Sequence, residues 1–188
     1  MLLGLALIAC FATVPLTGGR LTHLADLRLD AMWLLLAGLG TQILVIEIVP
    51  GNHSAFHDAA HLASYGAVGG FLWANRHRPY LWLIALGGLL NFIAIAANGG
   101  VMPADPQALA AAGIEQAPGE FLNSAAVEDA RLQFLGDVMW IPAGWPAANV
   151  FSVGDVLLLA GAFLALHTQC QSRLALPRFA APPAPARG

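Results

Sequence analysis

The chain has 188 residues, a net charge of −3, 10% charged residues and 58% apolar ones. An ordinary water-exposed domain carries about 25% charged residues, so this composition predicts an integral membrane protein of the all-α, polytopic transmembrane class. The eight basic residues are scattered and all Arg, which excludes the basic face of a nucleic-acid binder and any lysine Schiff base or amine nucleophile.

Five apolar runs, at about 1–17, 31–49, 56–74, 80–97 and 150–168, approach the roughly 17 to 25 residues needed to cross a hydrocarbon core. Backbone groups in lipid need internal partners, so the runs are expected to be helices. The first lacks a basic leading segment and reads as a span rather than a cleaved signal. After it, Leu21, Leu24 and Leu27 recur every third residue, the pattern of a short helix lying along an interface. The third and fourth runs hold small residues, Gly66 with Gly70 and Gly87 with Gly88, of the kind that lets helices approach closely. Trp33, Trp73, Trp82, Trp140 and Trp145 suit belt positions at the membrane surface. Cys10 and Cys170 lie far apart in sequence and read as packing residues.

Orientation follows from the arginines. Arg20, Arg28, Arg76, Arg78, Arg173, Arg178 and Arg187 fall on one side of these runs and Arg131 on the other. The positive-inside rule then puts the N-terminus outside and the C-terminus in the cytoplasm of a bacterial inner membrane. Residues 1–178 form one membrane domain. The connection 98–149 is too long for a bare loop, and its caps predict a small helical extracytoplasmic domain. Asp105 and Pro106 start one short helix that Gly113 stops. Asn123 or Ser124 starts a second, running through Glu128 and Arg131 toward Phe134. The Pro- and Ala-rich tail at 179–188 is expected to be flexible or extended.

Polar residues in the apolar runs mark the candidate sites. Ser152-Val153-Gly154-Asp155 opens the last run as a capping box, while a carboxylate at the mouth of an apolar helix is also a candidate functional acid. Asn91 and Asn98 are seven apart and share a helical face. Asn91 is expected to bond across to a neighbouring helix, or to share a polar cavity with Gln42 and Asp155. His53, His57 and His61 follow an i, i+4, i+8 spacing, with Asp58 and Glu47 nearby. Such a set suits a transition metal, and His57 or His61 suits a haem or pigment as axial ligand.

The segments Gly18-Gly19-Arg20-Leu21, Leu62-Ala63-Ser64-Tyr65, Asn98-Gly99-Gly100-Val101-Met102-Pro103, Leu135-Gly136-Asp137 and Phe151-Ser152-Val153-Gly154-Asp155 occur in this order. Together they resemble a bacterial family of small multi-spanning membrane proteins known only as a domain of unknown function. The resemblance covers nearly the whole chain and implies a membrane bundle with a structured outer loop, without an activity or cofactor. A fainter similarity is to lipoprotein signal peptidase, an aspartyl enzyme. Asp155 matches one catalytic aspartate of that family in spacing, but Ala94 stands where the other acid belongs. The resemblance then implies catalysis only if Asp137 or Asp105 supplies the second carboxylate, because a dyad needs one acid and one base.

No nucleotide loop, nucleophile motif or complete metal set appears. The expected function is therefore a non-catalytic accessory or scaffold subunit of a membrane complex, with the lipid bilayer and another membrane protein as partners and no nucleic acid. The alternatives are an intramembrane aspartyl hydrolase using Asp155 and Asp137, and a haem-, pigment- or metal-binding protein using His53, His57 and His61.

Overall fold

Each apolar run nucleates a helix. In the computed structural model, which describes residues 2–44, 55–78, 80–115 and 124–175, these are α1 (Leu2–Leu16), α2 (Met32–Ile43), α3 (Ala55–Ala74), α4 (Leu81–Ala97) and, after the short α5 (Pro106–Ala112), α6 (Val153–Gln169). A 3-10 turn at Leu21–Asp26 follows α1.

The helices are too short or too polar for the transmembrane bundle that the composition predicted. At about 1.5 Å per residue, the 15, 17 and 17 residues of α1, α4 and α6 rise only about 22 to 26 Å, against a hydrocarbon core of about 30 Å. α3 has 20 residues, but His57, Asp58, His61 and Ser64 fall in its first half. Among the described residues, no helix is long and apolar enough to cross a membrane. This overturns the five-span polytopic bundle, the extracytoplasmic placement of the 98–149 segment, and the multi-pass inner-membrane localisation with its N-out, C-in orientation. The apolar runs are taken up almost whole, α1, α4 and α6 filling 15 to 17 residues of the first, fourth and fifth, but those runs were already at the short limit of the roughly 17 to 25 residues that a span needs.

Nor is the chain all-α. β1 (Met102–Pro103) pairs in parallel with β2 (Ser124–Ala125), and β3 (Met139–Ile141) pairs antiparallel with β4 (Asn149–Phe151), Trp140 opposite Val150. A single parallel bridge links Ala104 to Asp137. The first helix expected in this segment forms as predicted: Asp105 caps α5 by accepting from the Gln107 N–H, Pro106 takes the first turn, and Gly113 closes it at φ 69°. The second does not form. Ser124 is drawn into β2 by Met102, and Asp129 and Leu132 adopt φ of 50° and 53°, a left-handed backbone that no right-handed helix can include. What remains helical there is a 3-10 turn at Gln133–Leu135.

Glycines set the helix pairing. A Cβ on Gly87 of α4 would lie 2.6 Å from the Gly154 carbonyl oxygen of α6, and one on Gly161 of α6 would lie 2.6 Å from Ile84 Cγ1 and 2.9 Å from the Ile84 nitrogen. α4 and α6 therefore touch backbone to backbone. α2 and α3 do the same at Gly38, where a Cβ would meet Val68 and the Ser64 carbonyl at 2.8 and 2.9 Å. α1 joins α6 through Cys10, Val14, Leu166 and Cys170, so both cysteines are free, buried packing residues. Over the end of α4 sits a small cap whose core is Ala104, Ala108, Leu109, Ala112 and Val150. Ala94, Ile95 and Met102, with Leu62, Tyr65 and Leu135 against them, weld this cap to the bundle. The five tryptophans lie exposed on the outside.

Candidate functional site

The start of α6 is the first polar centre. Ser152 Oγ accepts from the Asp155 N–H at 3.0 Å, and Asp155 Oδ2 accepts from the Ser152 N–H at 3.0 Å, which completes the predicted capping box. From α4, buried Asn91 closes the network. Its amide donates to Asp155 Oδ1 at 2.9 Å and its carbonyl oxygen accepts from the Ser152 hydroxyl at 2.9 Å. Ser152 thereby spends its one proton on Asn91 and its acceptor capacity on Asp155. The expected pairing of Asn91 with Asp155 is present, while Gln42, at the end of α2, is not in this set. Ser152→Ala removes a cap and strands the Asn91 oxygen, and should lower the unfolding free energy by about 2 kcal/mol in urea titration.

Asn98 plays a different part from Asn91. Its amide donates to the carbonyls of Ala94 at 2.7 Å and Arg131 at 2.8 Å, and its oxygen accepts from the Arg131 N–H at 2.8 Å. It is the clasp that holds the cap segment to the end of α4. Gly99 and Gly100, at φ 68° and 101°, turn the chain into β1 just beyond it.

Asp137 is the second polar centre. Its N–H donates to the Pro103 carbonyl at 2.9 Å and its own carbonyl accepts from the Asp105 N–H at 3.0 Å. Those bonds fix the backbone while leaving the side chain 6% exposed, with Oδ1 buried and without a hydrogen-bond partner. Burial pushes the Asp137 carboxyl up to about 6; a hydrogen bond from Ser124 works against that shift, and the charge of Asp155 adds to it. Tyr65 of α3 stands close to both acids. Burial, then Asp155, then Asp137 raise its phenol well above the ordinary range, so it remains a neutral donor. Its ring packs at 5.6 Å from His61 and 5.7 Å from Phe92. The two acids singled out from sequence thus influence one another, and the structure adds Tyr65, a member of the Leu62–Tyr65 segment to which the sequence assigned no role of its own.

Histidine chemistry is more constrained than the spacing suggested. His61 is 1% exposed and its Nδ1 lies 3.1 Å from the Gly100 carbonyl. A carbonyl only accepts, so Nδ1 carries the proton. His53 lies outside the described residues, as do Glu47 and the side chains of His57 and Asp58. Among the described residues, no three His, Cys, Asp or Glu side chains converge to hold a metal.

A buried histidine that the sequence reading passed over, His167 of α6, is fully committed. Thr13 gives its proton to the Cys10 carbonyl at 2.7 Å and so accepts from His167 Nε2 at 3.0 Å, while Ser172 donates to Nδ1 at 2.6 Å. Burial lowers the His167 pKa, and the neutral ring ties α1 to the C-terminal turn.

A concavity lies between α3 and α4. It is a groove of about 560 Å³, walled by Val68, Leu72, Leu81, Ala85 and Leu89, with Trp73 and Trp82 also lining it. Gly66 and Gly69 of α3 and Gly88 of α4 line it too, and a Cβ on any of them would meet nothing within 4 Å. Here small residues keep a space open, whereas Gly87, Gly154 and Gly161 bring helices together. Tyr65 and Phe92 stand at one end of the groove, and Arg76 and Arg78 at the other.

Comparison with known proteins adds relatedness without chemistry. Residues 26–167 match the profile of a family described as a family of unknown function, DUF5317. A protein of Thermotoga maritima described as uncharacterized is 32% identical over 94 residues, covering 50% of this chain and 54% of that protein. The chain thus spans about half the length of this relative. No solved structure matches.

Proposed function

The chain belongs to the DUF5317 family, whose function is unknown, and from its own geometry we propose that it is a non-catalytic binding subunit that receives a long apolar molecule between α3 and α4. The groove carries this reading. Its volume of about 560 Å³ falls within the roughly 300 to 1,000 Å³ of small-molecule sites, which are apolar pockets with a few polar groups at fixed places. Three glycines whose absent side chains would have filled it keep it open.

The test is to fill the groove. Gly69→Leu places a side chain in empty space, so the fold should tolerate it while the ligand does not. Each excluded methylene is worth about 0.8 kcal/mol, and displacing two or three weakens binding of 1-dodecanol at least about tenfold. Trp73 and Trp82 line the groove, so their fluorescence reports the titration. Wild-type protein that binds no dodecanol, or a Gly69→Leu variant that binds it equally well, overturns the reading.

A second reading rests on the unpaired Oδ1 of Asp137, a buried carboxyl placed to give or take a proton beside Tyr65. Both oxygens of Asp155 are already engaged by Asn91 and Ser152, which leaves Asp137 as the group free to react in any acid–base chemistry. An Asp137-dependent change in the mass of a bound chain molecule on incubation would support that reading; its recovery unchanged would count against it.

A further inference from the structure

The groove is polarised. Its lining includes two cations, Arg76 and Arg78, both at one end, and no acid. Arg76 lies with its guanidinium 4.9 Å over the Trp73 ring and donates to the Trp73 carbonyl at 3.0 Å. Arg78 donates to the Arg28 carbonyl at 2.6 Å and to the Tyr80 hydroxyl at 3.2 Å. Those bonds use its two terminal nitrogens, and its Nε is buried with no hydrogen-bond partner. A buried guanidinium donor left unpaired is destabilising, and a carboxylate oxygen is the acceptor that best relieves it. The planar fork of arginine favours that partner over a neutral hydroxyl.

The opposite end is aromatic, closed by Tyr65 and Phe92. Tyr65 lies nine residues before the end of α3 at Ala74, about 14 Å at 1.5 Å per residue, and Arg76 stands in the turn just beyond. Carbon–carbon bonds of about 1.5 Å advance an extended zigzag by about 1.25 Å each, so a chain of roughly twelve carbons covers that distance. The stretch between the two ends is walled by leucine, valine and the open glycines.

We propose that the occupant of the groove is a single-chain anionic amphiphile, a fatty-acid carboxylate, with its head on Arg76 and Arg78 and its tail running toward Tyr65 and Phe92. This rests on the binding reading above and adds to it the identity of the polar end. Arg76 stacks on Trp73 at the end of α3 and makes no side-chain bond to a distant segment among the described residues, which makes it the safer position to alter. Arg78 also braces Arg28 and Tyr80, so its replacement is Arg78→Gln, which removes the charge and keeps an amide donor.

The experiment titrates the full chain, followed by tryptophan fluorescence and native mass spectrometry, with dodecanoate, 1-dodecanol and dodecyltrimethylammonium below their aggregation limits. Dodecanoate should bind at least tenfold more tightly than dodecanol, and the cation more weakly than either. Arg76→Gln should cut the preference for dodecanoate to threefold or less while changing dodecanol affinity far less, and Arg76→Gln with Arg78→Gln should abolish it. Equal binding of dodecanoate and dodecanol, both lost in Gly69→Leu, overturns the anionic assignment and leaves the binding reading standing. Tight dodecanoate binding that survives both arginine changes overturns the head-group placement. No binding of any of the three overturns the assignment and the binding reading together.

Discussion

Asp137→Asn is expected to stabilise the protein by about 3 kcal/mol at pH 8 and to leave it nearly unchanged at pH 4. In the folded state burial holds the Asp137 carboxyl near 6, above its ordinary value of 3.8. A group whose folded pKa is raised contributes stability that is fully present below the unfolded pKa and is lost as pH rises through the folded one. The window is therefore about pH 4 to 6, and a shift of about two units at 1.36 kcal/mol each gives the loss of about 3 kcal/mol. Asparagine keeps the shape and stays neutral, so it escapes the loss. Urea unfolding at the two pH values checks this. A variant that is less stable than wild type at pH 8 would mean that the charged carboxylate is needed where it sits, and would sink the burial argument.

Gly154→Ala is the substitution with the largest expected cost, about 4 kcal/mol, seen as a fall of about 10 °C in Tm. A Cβ there would overlap the Asn91 side-chain oxygen and approach the Gly87 carbonyl at 2.8 Å. Neither neighbour can give way freely. Asn91 is held by Asp155 and Ser152, and the Gly87 carbonyl belongs to the α4 backbone. The helices must part, which adds an overpacking cost of about 1 to 3 kcal/mol to the loss of buried hydrogen bonds worth a comparable amount. Gly88→Ala is the control. Its Cβ would meet nothing within 4 Å, and the gain in helix propensity is up to about 1 kcal/mol. A Gly154→Ala protein as stable as wild type would show that α4 and α6 do not touch as described.

What could be read from sequence was what is local. The cap of α5 at Asp105, Pro106 and Gly113 and the box at Ser152 and Asp155 depend on residues within one turn, and both form as expected. The partnership of Asn91 with Asp155 was also accessible, because a buried amide on an apolar helix must find a partner. The strands were not. β1 has two residues and is paired by Ser124, far along the chain, too short for any alternation to show. The positive φ of Asp129 and Leu132 likewise left no mark by which to withhold a helix. Apolar run length was a fair measure of helix length, since α1, α4 and α6 fill nearly all of their runs; the spans failed because runs of that length make helices short of a hydrocarbon core. The glycines show the same limit in another form. Gly87 and Gly88 are neighbours of one type, yet the first meets α6 and the second faces open space, a difference set by the facing element rather than by either residue.

The seam between α3 and α4 has a mechanical meaning. Along it, among the described residues, the two helices are joined near their ends: the His61 contact with Gly100 and the Tyr65 ring against Phe92 hold one end, and Arg78 reaching the Tyr80 hydroxyl in the connecting turn holds the other. Asn75 tethers α3 to the chain before α2 through Asp30, and α2 packs on α3 at Gly38. The bundle is thus two stiff leaves, α2 with α3 and α4 with α6, bound like the boards of a book at head and foot. A molecule lying along the spine would carry load between them. Cooperative opening units follow such packing boundaries, so loading the seam would make the leaves come apart together instead of one after the other.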